Sequence, residues 1–288
     1  MKVLSKFTAR PAMDGDGVNI KRVADFMNTR FDPYLMIDEI KSNDQQDFIG
    51  GFPPHPHRGI ETFTYIRKGG FEHRDQLGNV KAIRAGDVQW MSTGRGVVHS
   101  EMPLADANEG LHGFQIWLNM PAKDKMRPAI YQDTTGTPNP VVSNDSGANL
   151  KALAGDWQFA DSPQIIAASI QGLAGNGAIA DLMLNESGQA QLDLSTHQSV
   201  SVFIYQGELE YVDTSGMQVK ATEGQLLVIE PELNTLIKAG NQDTGILLLA
   251  GCPINEKIVH MGPFVMNSQA EINQAIDDYQ QGRFGEIV

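Results

Sequence analysis

A single cysteine, Cys252, stands in the whole chain, so no intrachain disulfide can close. That poverty fits a reducing compartment and excludes a small scaffold stapled by disulfides. Positive charge is short as well: 22 Lys and Arg stand against 35 Asp and Glu, a formal net charge of −13. With no basic cluster to override it, this balance argues against direct nucleic-acid contact and against adhesion to an anionic membrane surface. Long apolar runs are also missing. The longest, TGILLLAGCPI, is too short to span a bilayer and reads as a buried strand. The opening MKVLSKFTARPAMDGDG has no apolar core of the kind a signal peptide carries, and the expected location is cytoplasmic.

Helical periodicity is scarce until the end of the chain. In its place come short β-rich segments, ETFTYIRKGG, NVKAIRAGDVQWMS and GFQIWLNMP, then SVSVFIYQGELEYV, MQVKATEGQLLVIEP and TGILLLAG, punctuated by Gly, Asp and Asn. Close spacing of such segments predicts an antiparallel sandwich or barrel. Gly70, Gly78 and Gly86 in the first half recur as Gly207, Gly216 and Gly224 in the second at nearly the same spacing, which predicts two copies of one β-barrel module. The expected division is a first domain over 1–135, a linker rich in Thr, Pro, Asn, Ser and Gly over 136–150, and a second domain over 151–288. Near the end, Ser268 and Glu271 stand in capping-box positions ahead of a stripe of Ile272, Ala275, Ile276 and Tyr279, an amphipathic helix expected to dock on a barrel.

Chemistry concentrates in two short runs. GFPPHPHRGIETFTY carries His55 and His57, and GRGVVHSEMP carries His99 and Glu101, although the chain has only seven histidines. Residues i and i+2 of a strand share a face, so each pair points one way, and two such strands lining one barrel would bring four donors together. An HxH pair alone is commonly two exposed polar positions on a strand. Joined to a downstream HxE in an all-β chain, it becomes a ligand set for one borderline divalent metal such as Fe(II), Mn, Ni, Cu or Zn. Four protein donors in an octahedral sphere leave positions for water, substrate or dioxygen, whereas a closed structural zinc site more often uses cysteine.

The stretch from HPHRGIETFTYI through RAGDVQWMSTGRGVVHSEMP, with HGFQIWLNMP, KMRPAIYQD and the late GPFVMN, resembles the pirin family of the cupin superfamily. The resemblance implies a bicupin, two double-stranded β-helix (jelly-roll) barrels, with one metal in the N-terminal barrel held by His55, His57, His99 and Glu101. Many cupins take their carboxylate a few residues after HxH, where Glu61 stands here with the parity of His57. The pirin pattern favours Glu101, leaving Glu61 as a hydrogen-bond partner behind the ligands. Counting from the glycines, the matching positions of the second module fall on Leu192, Leu194, Ile237 and Ala239, which predicts no metal there.

Of the other histidines, His73 has strand parity with the HPH pair and is expected behind the ligands or at the rim. His112 starts a strand, His197 lies at a turn or the surface, and His260 sits near the late GPFVMN. Arg58 and Arg95 are expected to satisfy carboxylates or backbone, and Cys252 to be inert in a buried strand.

Two functions follow. In the first, a small aromatic or enolic substrate and dioxygen meet at the metal while Glu101 accepts a hydroxyl proton; the resemblance implies an oxidoreductase of the quercetin 2,3-dioxygenase type, opening a flavonol with loss of carbon monoxide. In the second, the metal centre belongs to a redox-sensitive regulator that binds a protein partner, as some pirin relatives do.

Overall fold

The computed structural model describes residues 1–287 apart from 27, 107 and 214. Strands dominate it, with one α-helix, Gln269–Gln280, among the described residues. The chain forms two compact units, each a β-barrel of a seven-stranded and a four-stranded antiparallel sheet.

The units do not follow the single cut expected from the sequence. One comprises residues 1–10, 26–33 and 139–253; the other comprises 11–25, 34–138 and 254–288. Val3–Thr8 explains the first exchange. Its inward and outward residues alternate, and it pairs antiparallel with Gln225–Ile229 at the edge of the 139–253 barrel. The 136–150 stretch is likewise more than a linker. Val141–Ser143 pairs with Ala148–Ala154, and the turn between them is closed by Asn144, whose Oδ1 accepts from the backbone N–H of Ser146 and Ala148.

Inside the 139–253 barrel, aliphatic side chains fill the space. Leu192, Leu194, Ile237 and Ala239, the four positions counted from the glycines, are all fully buried in one apolar cluster with Ile204, Leu227, Ile246 and Leu248. Each fully buried Leu or Ile contributes roughly 1.5–3 kcal/mol by leaving water.

The 34–138 barrel is divided differently. One end is apolar, with Val18, Ile20, Ile40, Ile66, Phe71, Ile83 and Leu111 packed together. Polar side chains take the inward positions beyond it. On Ile60–Lys68, Ile66 belongs to the apolar end, while Thr64, two residues back on the same face, hydrogen-bonds to buried polar groups.

The C-terminal helix forms as its sequence predicts. Ser268 Oγ accepts from the Glu271 N–H, and Glu271 Oε2 reaches back to the Asn267 N–H and the Ser268 hydroxyl. Ile272 and Ala275 are buried against Val98, Phe264, Met266 and Phe284. Tyr279, expected on the buried stripe, is 38% exposed, and Asp278 takes the covered position.

Candidate metal centre

The four-stranded sheet of the 34–138 barrel runs Phe52–His57, Val97–Pro103, Gly70–Asp75, Val80–Arg84. Its register places His55 opposite His99, with Asp75 on the far side of His99, and sets His73 opposite Glu101. The two sequence motifs therefore meet side by side. Ring centroids of His55, His57 and His99 stand 4.4–4.9 Å apart. One donor atom from each of these histidines lies within 4.8 Å of the other two, and the same holds for His73, His99 and Glu101.

Donor chemistry favours a cation. His55 Nδ1 stands 2.8 Å from the Pro53 carbonyl, which can only accept, so Nδ1 carries the proton and the Nε2 lone pair is free. None of the ring nitrogens of His57 and His99 reaches a hydrogen-bond partner, although the rings are 1% and 0% exposed. Burial, with the neighbouring His55, pushes both pKa values well below the usual imidazole range; for His57 the nearby Pro263 carbonyl offsets part of this without reaching hydrogen-bond geometry. Neutral, dry imidazoles with unused lone pairs are what a borderline divalent metal requires, and buried polar atoms without partners are otherwise costly. The residues present fit such an ion.

Glu101 is held on both oxygens. Thr64 Oγ1 lies 2.9 Å and Gln89 Nε2 3.4 Å from its Oε1, and Gln115 Nε2 donates to its Oε2 at 3.2 Å. These partners belong to one row across the seven-stranded sheet, where register aligns Arg22, Asp38, Gln115, Thr64 and Gln89 strand by strand. At its outer end Arg22 grips Asp38 with Nε at 2.9 Å and Nη2 at 2.8 Å. No sequence motif marks this row. Its signal was polar residues at every second position of otherwise apolar strands, as in ETFTYI.

His73 lies in the same layer. Its Nε2 is 3.1 Å from Asp75 Oδ2, its ring is tilted against His99 and stacked on Tyr131, and its Nδ1 has no partner. Glu61 goes elsewhere: its Oε2 accepts from Trp90 Nε1 at 3.2 Å, and its Oε1 faces Arg127 at 3.5 Å. The parity shared with His57 fails because the HPH strand ends at His57, Gly59 turns with φ 81°, and Ile60 begins a strand of the other sheet. Trp117 stands edge-on to His57, ring centroids 5.0 Å apart.

The remaining histidines lie apart. His112 Nε2 pairs with Glu39 at 3.0 Å, His197 sits half-buried at a turn, and His260 is exposed on Val259–Met261. Cys252, expected in a buried strand, is half-buried one residue beyond Thr244–Gly251.

Residues 17–118 match the Pirin family, and residues 179–285 match the Pirin C-terminal cupin domain. A Vibrio cholerae protein provisionally named a quercetin 2,3-dioxygenase is 43% identical over 281 residues, covering 96% of this chain and 95% of its own. Pirin-1 of Arabidopsis thaliana is 33% identical, over 98% of this chain and 94% of its own. Among solved structures, a quercetin 2,3-dioxygenase from Acinetobacter baumannii superposes with a TM-score of 0.84 at 28% identity, over 100% of this chain and 99% of its own. A bacterial pirin from Escherichia coli, solved in complex with nickel(II), shares the fold at a TM-score of 0.62 and 22% identity, over 86% of this chain and 100% of its own.

Proposed function

The chain belongs to the pirin family of bicupins, and from that premise we propose that it is a metal-dependent dioxygenase able to open the ring of a flavonol such as quercetin. His55, His57, His99 and Glu101 hold one divalent metal, Fe(II) in the first instance, with Mn, Ni, Cu or Zn suited to the same donors. The observation that carries this reading is the meeting of His55 and His57 with His99, distant in sequence, around buried imidazole nitrogens that no protein group satisfies, with Glu101 grouped beside the same His99. Relatives and solved structures bearing the quercetin 2,3-dioxygenase name support the same chemistry.

When bound, the metal would polarise an enolic oxygen and give electrons a route to dioxygen. Glu101 accepts the proton of the flavonol hydroxyl. Thr64 accommodates either state of that carboxyl: its hydroxyl donates to the carboxylate, or turns to Gln115 Oε1, 2.6 Å away, and accepts from the protonated acid. Gln115 keeps its amide N–H on Oε2 throughout. Trp117, beside His57, offers an aromatic edge to a planar substrate. The net change balances as flavonol plus dioxygen giving the ring-opened ester plus carbon monoxide.

Iron-loaded protein is expected to consume oxygen and bleach the flavonol absorbance band. No turnover with any of the metals named overturns the dioxygenase reading, and a protein partner retained only by the metal-loaded chain would then favour the regulator.

A further inference from the structure

The residues after the second barrel return to the metal-bearing unit and grip the back of both ligand motifs. Arg58, next to His57, is 4% exposed. Its Nε donates to the Arg95 carbonyl in the loop leading to His99, and its Nη1 donates to Asp278 Oδ2 of the C-terminal helix at 2.8 Å. The guanidinium lies over the Phe284 ring, 4.5 Å from its centroid. Asp278 is held in turn through Oδ1 by Gln274 and Arg283.

The backbone is clamped along the same line. Val265 N–H donates to the Arg58 carbonyl at 3.0 Å, and Lys125 Nζ joins the Gly59 and Val265 carbonyls at 2.8 and 2.9 Å. A Cβ at Gly59 would collide with the Val265 carbonyl, and one at Gly96 with the Phe284 ring, so these glycines of the two ligand loops allow the tail its close approach. Val98, beside His99, packs against the helix residues Ile272 and Ala275.

We propose that Asp278 is a positioning residue of the metal centre: through Arg58 it sets the spacing between the strand that ends in His57 and the strand that carries His99. The strap of residues 263–284 thereby tunes how tightly, and in what geometry, the three histidines and Glu101 hold a metal. The inference rests on the ligand set proposed above. A buried guanidinium with a carboxylate on one side and a carbonyl on the other fixes two segments at once, and loss of the carboxylate leaves the cation free to shift.

The test loads the full chain with Co(II) and reads its visible ligand-field spectrum and its release to excess chelator. Asp278→Asn is expected to shift the spectrum and speed release by on the order of tenfold, and Asp278→Glu to restore most of both. Ser268→Ala weakens the same helix at its other end without touching Arg58, and is expected to leave spectrum and release as in the wild type. Amide exchange of residues 52–60 and 93–101, read on the metal-free chain, is expected to rise in Asp278→Asn and to stay unchanged in Ser268→Ala. Should Asp278→Asn fail to fold, Phe284→Leu removes the ring under Arg58 and carries the same expectations at smaller size. Wild-type protein that binds no cobalt overturns the ligand set, and amide exchange alone then decides the strap. Unchanged exchange and unchanged release in Asp278→Asn, or equal changes in Ser268→Ala, overturn the positioning role.

Discussion

Thr64 Oγ1 stands 2.9 Å from Glu101 Oε1 and 2.6 Å from Gln115 Oε1, and its single proton can serve only one of them at a time. In the proposed mechanism that choice gives the hydroxyl a part in proton transfer beyond holding the carboxylate. Thr64→Val keeps the shape and removes the switch. Flavonol turnover is expected to fall about tenfold in kcat, which corresponds to about 1.4 kcal/mol of barrier, with KM and bound metal nearly unchanged. Steady-state kinetics beside metal analysis checks it; an equal loss of metal and activity would mean that Thr64 serves only to place the ligand.

Glu61 separates the two carboxylates that parity could not. It is buried with the Trp90 indole N–H and the Arg127 guanidinium, away from both histidine clusters. Glu61→Gln is expected to lower unfolding free energy by about 1–2 kcal/mol while leaving bound metal per chain unchanged. Loss of metal in this variant would return Glu61 to the ligand set.

Lys125 makes stability depend on alkaline pH. Its ammonium is 1% exposed among the Gly59, Val265 and Asn119 oxygens, and burial pushes its pKa down from 10.5 to about 8 against the pull of Glu256 and Glu271. Below about pH 8 both folded and unfolded chains hold this proton, and the group contributes no slope. Between about 8 and 10.5 the unfolded chain binds more protons, so stability from this group rises with pH, by at most about 1.4 kcal/mol per unit. The three oxygen acceptors favour the ammonium and keep the rise below that limit. Urea unfolding of the wild type and Lys125→Met at about pH 7.5 and about pH 9.5 should therefore show the difference, wild type minus variant, growing with pH. A constant difference contradicts the lowered pKa of Lys125.

Leu192 marks where the second barrel holds aliphatic carbon at a position counted against a proposed ligand of the first. It is fully buried in the 139–253 cluster. Leu192→Ala is expected to cost about 2–5 kcal/mol in unfolding free energy, with metal per folded chain unchanged. A change in metal content with little loss of stability would contradict the assignment of this position to packing alone.

Much of this was legible in the sequence because it depends on local rules. Strand parity in HPH and HSE, glycine spacing in the two halves and the Ser268–Glu271 capping box each rest on neighbours in the chain, and the structure agrees in the strands, the two barrels and the helix. What escaped depends on pairing between distant strands. No local pattern announces that Val3–Thr8 joins the barrel of residues 139–253, or that Asp278 lies against Arg58. Parity left Glu61 undecided for the same reason: it holds only within a strand, and Gly59 ends one. The Thr64, Gln115 and Gln89 row stayed hidden because alignment across a sheet follows from register, which alternation alone does not determine.

Bound metal in the wild type, His57→Ala and Glu101→Ala, purified side by side and measured by elemental analysis, tests the account most directly. It predicts close to one divalent metal per wild-type chain and a sharp loss in both variants, each still folded. Equal metal in all three proteins would contradict the ligand set and the dioxygenase chemistry built on it.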